Sequence, residues 1–340
     1  MNVSRKGITG LKNLGNTCFL NSCIQVLKHV HELTSVLQGP VKINNIVDSI
    51  MLTEWISLEK DLWADNTIVS PNKFVSRVQF VSRNKSIDLF TGWAQNDISE
   101  FLQFIIDCLH NSISRPVIIA IHGKQHNDVD KKAIQCYRMI KECYKKSYSE
   151  ILEIFYAVYI SELFSCDESL ILSIKPEQYF ILDLPIPLFD KPVILTDCFD
   201  EFTKKELLDG DNSWYNETTK QYQSVQKKIS FWSLPKILII TFKRFSPCGT
   251  KKNDEYIDFP ISQLNLSKYV NGYNPEKYIY NLFGLCNHFG GIEGGHYTSY
   301  AKRFDNKWVH YNDTVCNPIH TKDVVSKFAY CLFYRIDNNL

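Results

Sequence analysis

Gly10-Leu11-Lys12-Asn13-Leu14-Gly15-Asn16-Thr17-Cys18-Phe19-Leu20-Asn21-Ser22 is the stretch on which the reading of this chain turns. Gly15, Asn16 and Thr17 suit a loop and cap. From Cys18 onward Leu20, Cys23, Ile24 and Leu27 recur at i, i+3, i+4 and i+7, which predicts a helix over 18–28 with one buried face. Cys18 then lies in the first turn, where unpaired N–H groups and the helix dipole favour a thiolate and can bind an oxyanion. Such a site predicts a thiol pKa below its ordinary value of about 8.5. The competing reading is a buried cysteine that happens to begin a helix, and this segment alone leaves the two even. Cys23, on the inward face, reads as core.

A second stretch, Gly290-Gly291-Ile292-Glu293-Gly294-Gly295-His296-Tyr297-Thr298-Ser299-Tyr300, is a glycine-rich loop ending in a histidine that opens an alternating strand. Gly294 and Gly295 carry no Cβ, so another backbone can approach beside the imidazole. The chain turns at Asp305-Asn306 and returns as Lys307-Trp308-Val309-His310-Tyr311-Asn312-Asp313, which brings Asn312 back towards His296. A carboxamide there can accept the imidazole N–H and fix the tautomer, as in the Cys-His-Asn arrangement of papain-like proteases. His29, His31, His110, His122, His126, His310 and His320 read as half-exposed surface residues.

Between these stretches, Asp97 reads as the N-cap of a helix over 97–110, with Glu100 as its capping-box partner and Phe101, Phe104, Ile105, Cys108 and Leu109 inward. Residues 112–130 read as a short strand or buried segment followed by a loop. A helix over 131–146 is expected to bury Ile134, Tyr137, Ile140 and Tyr144. From about residue 155, β-branched and aromatic residues dominate, predicting strands over 155–164, 179–184, 236–242, 278–286, 296–302, 307–311 and 329–336. A helical first half followed by an antiparallel second half is an α+β layout.

The 340 residues, 44% hydrophobic, suffice for one elaborate catalytic domain. The 38 basic and 37 acidic residues leave a net charge of +1, so no long-range field draws in nucleic acid or an anionic membrane. The start is polar, no signal-like run follows it, and no apolar run approaches the roughly 20 residues of a membrane helix. A soluble chain is expected. Eleven cysteines without a CxxC read mostly as small buried hydrophobes in a reducing compartment, cytoplasmic or nuclear.

The first stretch resembles the Cys box of the ubiquitin-specific proteases, and Gly294–Tyr300 with Trp308–Val315 resembles their His box. Gln95-Asn96-Asp97-Ile98-Ser99-Glu100-Phe101 is similar to the family's Gln-Gln-Asp-Ala-Gln-Glu-Phe helix start, and Leu234 to Phe245 to its strand ending in Lys-Arg-Phe. Four ordered motifs span about residues 10–335. The resemblance implies a papain-like cysteine protease fold shaped as a hand, with a helical thumb over about 10–154 and a β palm and β fingers beyond. It implies a monomeric enzyme without a cofactor that acts on ubiquitin and ubiquitinated proteins. By match, Cys18, His296 and Asn312 form the triad, Asp313 assists or replaces its third member, and Asn13 is the side-chain donor of the oxyanion hole.

The resemblance further implies that Asp97 and Glu100 pair with arginines of the ubiquitin tail, Leu-Arg-Leu-Arg-Gly-Gly. Gly294 and Gly295 match the tunnel for Gly-Gly, Phe245 and Tyr297 match its aromatic walls, and residues 246–254 and 287–294 match two blocking loops. Many members hold a fingertip zinc on two CxxC pairs. Here only Cys166 remains, beside Ser169, Asn216 and Thr219, so no metal is expected. Phe164, Leu170, Leu172, Trp214 and Tyr215 are candidates to pack the fingertip instead. Three other readings are an inactive ubiquitin-binding scaffold, a protease for another ubiquitin-like modifier, and a metal-dependent hydrolase using His122 and His126. The triad residues disfavour the first, the Asp97/Glu100 pair the second, and Gly123 within a polar loop the third.

Overall fold

The computed structural model describes residues 7–64, 67–245, 251–291 and 294–337. Its helices are α1 (Cys18–Leu27), α2 (His31–Leu37), α3 (Ser49–Trp63), α4 (Asn72–Asn84), α5 (Ile98–Ile113), α6 (Asp128–Tyr144), α7 (Glu150–Phe155) and α8 (Leu195–Thr203). Seven of these precede residue 156, together with one short parallel pair, Gly10–Leu11 with Ile68–Val69, and the larger sheets follow. The α+β reading holds.

Helix α1 is buried on every side, pressed between α5 and the strands Gly295–Lys302 and Ile279–Gly290. Its approach is close: a Cβ on Gly284 would meet Val26 Cγ1 at 2.4 Å. Burying Leu20, Ile24 and Leu27 contributes roughly 1.5–3 kcal/mol each. The polar residues of α1 need partners in this setting, and Gln25 Nε2 donates to the Thr9 carbonyl at 2.8 Å. Asp97 caps α5 as expected, but its Oδ1 accepts from Ser99 N–H at 2.7 Å and the full capping box with Glu100 does not form. Its face Ile98, Phe101, Leu102 and Ile105 is fully buried.

The palm sheet runs, in spatial order, Val315–Ile319, Trp308–Asn312, Gly295–Lys302, Ile279–Gly290, Ala329–Ile336, Ile237–Phe242 and Ile181–Leu184. All neighbours are antiparallel except the last pair, where Ile239 lies opposite Ile181 in parallel. The finger sheet runs Ile171–Tyr179, Ala157–Phe164, Val225–Phe231 and Glu206–Leu208. The strand expected over 179–184 is thus split at Phe180, where the chain passes from finger to palm. That expected over 155–164 begins later, because Phe155 ends α7.

Of two other expectations, one holds in part and one fails. Helix α6 starts at Asp128 under an Asn127/Asp130 capping box. It buries Ala133 and Cys136 against the finger sheet, while Tyr137 stays exposed. Small residues let the helix lie close, and Ile140 packs partly buried on the same cluster, with Ile134 and Tyr144 half-buried. Residues 117–121 are neither strand nor buried segment but open coil, with Ile118 fully exposed. No helix among the described residues is long and apolar enough to cross a membrane.

Candidate active site

Gly15 and Asn16 take left-handed backbone, at φ 109° and 53°, and this reversal delivers Cys18 as the first residue of α1. Thr17 does not cap the helix. Its Oγ1 accepts from Leu14 N–H at 2.9 Å and donates to Asn13 Oδ1 at 3.3 Å. The first N–H groups of α1 stay open, and those of Cys18 and Phe19, with that of Tyr297, approach Cys18 Sγ. Even so, the thiol is held above its ordinary value. Burial raises it, the Tyr297 N–H opposes, and the Asp313 carboxylate raises it further. The lowered pKa expected from the helix N-terminus is therefore corrected for the substrate-free site. Cys18 is only 4% exposed, and lost hydration outweighs the three N–H groups.

His296 lies opposite Phe289 at the start of its strand. The hairpin through Asn306, at φ 62°, sets Ser299 opposite Tyr311 and carries Asn312 back beside the imidazole. His296 Nε2 meets Asn312 Oδ1 at 2.7 Å. That oxygen can only accept, so the neutral ring carries its proton on Nε2 and leaves the Nδ1 lone pair free. Among the described residues no hydrogen bond joins this ring to Cys18 Sγ, although α1 packs along the His296 strand.

Asp313 sits at φ 47° and faces the Cys18 loop instead of the imidazole. Its Oδ2 accepts from Asn13 Nδ2 at 3.0 Å, its Oδ1 from Asn21 Nδ2 at 2.8 Å, and its carbonyl from Leu11 N–H at 2.8 Å. Asn13 Oδ1 accepts from Gly15 N–H at 3.0 Å and Thr17 N–H at 3.2 Å, which fixes which way its amide points. One Nδ2 hydrogen of Asn13 is used on Asp313. The other remains for a ligand.

A cleft of about 230 Å³ leads to the glycines before His296. Asp97, Glu100, Phe245, His288, Gly294, Gly295 and Tyr297 line it. Asp97 Oδ2 is already engaged, accepting from Tyr330 OH at 2.6 Å and Tyr297 OH at 3.4 Å. Burial, then the Asp97 charge, pushes both phenols far above their usual range. Glu100 is exposed, and its pKa is raised by partial burial and by the neighbouring Asp97 charge, so an arriving cation would relieve it. The glycines prove necessary for contacts within the chain. A Cβ on Gly295 would lie 2.3 Å from His288 Nε2 and 2.4 Å from the Phe289 carbonyl, and one on Gly294 would lie 3.2 Å from Gln95 Oε1.

Sequence reasoning passes over His288, whose ring lies 4.7 Å from that of Tyr297 and 6.0 Å from that of Phe245. Burial, aided by Lys252, lowers its pKa to about 4, so it is a neutral wall of the cleft. Buried Arg244 was legible only as part of Lys-Arg-Phe. It donates to the carbonyls of Ala329, Asn253 and Glu255 and pins the chain on either side of the first blocking loop. Residues 246–250 and 292–293 of the two loops lie outside the described residues.

Elsewhere, His29 is a correction: it is buried, with Nδ1 at 2.8 Å from the Gln25 carbonyl. His122 and His126 lie exposed in coil before α6, and no metal-holding cluster occurs among the described residues. Cys166 is exposed and its Sγ lies 3.2 Å from the Ser224 carbonyl. Asn216 Oδ1 accepts from Thr218 and Thr219 N–H groups, and Ser169 Oγ donates to Asp167. The fingertip is less packed than expected. Leu170 and Tyr215 are exposed, and the ring of exposed Tyr222 lies 5.1 Å from that of Tyr215, tilted by 58°.

A family model described as Ubiquitin carboxyl-terminal hydrolase matches residues 9–334. Ubiquitin carboxyl-terminal hydrolase 2 of Bos taurus is 31% identical over 347 residues, a match covering 98% of this chain and 56% of the relative. Its namesake from Gallus gallus is 32% identical over 345 residues, covering 97% of this chain and 94% of the relative. The chain thus spans little more than half the length of the bovine relative. In fold it is similar to the SAGA DUB module bound to ubiquitin aldehyde, with TM-score 0.72 and 24% identity over 98% of this chain and 70% of that one. Matched from one end of its described residues nearly to the other, the chain belongs to the ubiquitin carboxyl-terminal hydrolase family.

Proposed function

We propose that the chain is a deubiquitinating thiol protease that hydrolyses the peptide or isopeptide bond after the C-terminal glycine of ubiquitin. The observation that carries this reading is the 2.7 Å bond from His296 Nε2 to Asn312 Oδ1, formed beside a cysteine at the N-terminus of α1. As the tail enters, Glu100 takes up an arginine, and Asp97 shares another with its two tyrosines. His296 Nδ1 accepts the Cys18 proton, and the thiolate attacks the glycine carbonyl. The oxyanion is held by the Cys18 N–H and the free Nδ2 hydrogen of Asn13. Protonated His296 then hands its proton to the leaving lysine amine, and water, deprotonated by the same ring, releases ubiquitin from the thioester. In this reading Asn312 is the third triad member and Asp313 holds Asn13 in place. The unit works as a monomer and needs no metal.

The test is reaction with ubiquitin bearing a C-terminal electrophile, read by mass spectrometry. One adduct on Cys18, absent in Cys18→Ala, is expected. An adduct persisting in that variant overturns the assignment of the nucleophile, and no adduct in the wild type overturns the function.

A further inference from the structure

The residue before the candidate base is gripped by a side chain from the opposite half of the molecule. Gln95 Oε1 accepts from Gly295 N–H at 2.8 Å, and Gln95 Nε2 donates to the Gly295 carbonyl at 3.2 Å. The carboxamide thus pairs with both backbone groups of one residue, as a neighbouring strand would. On the other arm of the hairpin Lys252 Nζ donates to the Gly290 carbonyl at 2.9 Å, and Gly290 lies opposite Gly295 in the register. The hairpin end is held from both sides.

We propose that Gln95 is a positioning residue for His296, acting through the Gly295 peptide; this rests on the triad assigned above. Gly295 is covalently next to His296 and two residues from Tyr297, whose N–H approaches Cys18 Sγ. A shift of the Gly295 peptide therefore moves the base and a thiolate donor together. Gln95 stands two residues before Asp97 at the start of α5, so the segment that meets the ubiquitin tail also sets the histidine. The role is not a folding role. Gln95 is exposed, and an exposed hydrogen bond adds little to stability, whereas a misplacement of about 1 Å at a reacting group costs up to about 100-fold in rate.

Gln95→Ala and Gln95→Glu separate this from alternatives. The glutamate keeps the acceptor for Gly295 N–H but sets a carboxylate against the Gly295 carbonyl. With a fluorogenic C-terminal ubiquitin amide, kcat should fall about tenfold in both variants while KM changes by less than about twofold. The pH profile of Cys18 alkylation by iodoacetamide, measured without ubiquitin, should shift in both, since the Tyr297 N–H that approaches Cys18 Sγ moves with the Gly295 peptide. A raised KM with unchanged kcat and an unmoved alkylation profile would overturn the proposal and make Gln95 a mere tail contact. Unchanged kinetics in both assays would overturn it as well. A wild-type chain inert to the ubiquitin amide, yet with alkylation profiles shifted by the substitutions, would sink the substrate assignment and support the positioning role.

Discussion

Lys28, which follows α1 directly, is fully buried without a carboxylate among the described residues. Its Nζ donates to the Gly7 carbonyl at 2.9 Å and lies 4.5 Å from the ring centre of Tyr311 and 5.8 Å from that of Trp63. Burial lowers its pKa from 10.5 to about 7, with the nearby Cys316 thiol opposing and Arg303 assisting. The difference, 10.5 − 7, is 3.5 units, and at about 1.36 kcal/mol per unit this amounts to about 5 kcal/mol. Because the folded pKa lies below the unfolded one, the unfolded chain binds more protons between about pH 7 and pH 10.5. Stability from this group rises with pH across that window and is lost as pH falls towards 7. From about pH 7, where half of the folded amine is still protonated, to about pH 9 the gain is about 2 kcal/mol. Lys28→Met keeps the length of the side chain and removes the proton. Urea unfolding of both proteins at several pH values in this range should show the wild type gaining about 2 kcal/mol more than the methionine variant. Parallel pH slopes would refute the reasoning and mean that the carbonyl and the two rings hold the amine charged throughout.

Three further outcomes follow from the site. Asn13→Ala should lower kcat by about 10²–10³ with KM little changed, and Asp313→Ala should lower it through the freed Asn13 amide; if Asp313→Ala has no effect while Asn13→Ala does, the anchoring role is wrong. Glu100→Gln should raise KM for a ubiquitin substrate about tenfold, an effect lost when the tail arginines are replaced by alanine; equal effects on both substrates would exclude an ion pair there. Purified protein should hold no stoichiometric zinc, and a chelator should leave its melting temperature unchanged; metal analysis finding about one zinc per chain, released on Cys166→Ser, would contradict this.

The α+β order and the pairing of His296 with Asn312 were legible because each rests on a short signal: a helical period after Cys18, and an Asp-Asn turn between two alternating strands. What escaped was set by distant partners. Nothing local in Gln95 or Asp313 tells that one meets Gly295 and the other Asn13 and Asn21, 200 to 300 positions away. His29 reads as a surface residue until α1 proves buried all round. The face of α6 was read in part: Ile140 does pack on the finger sheet, but the fully buried residues are Ala133 and Cys136, whose small side chains allow the closer approach. Cys18 shows the same limit: the helix terminus was visible in the sequence, but the burial that overrides its effect on the thiol was not.

That burial bears on how the protein meets reactive small molecules. Peroxides and simple alkylating agents consume thiolate, and a cysteine kept protonated and shielded presents little of it. Adventitious oxidation should therefore be slow in the absence of substrate, and a generic electrophile should modify exposed Cys143 or Cys166 before the nucleophile. An inhibitor gains selectivity here less from the strength of its warhead than from a body that fills the cleft and brings the histidine into partnership with sulfur.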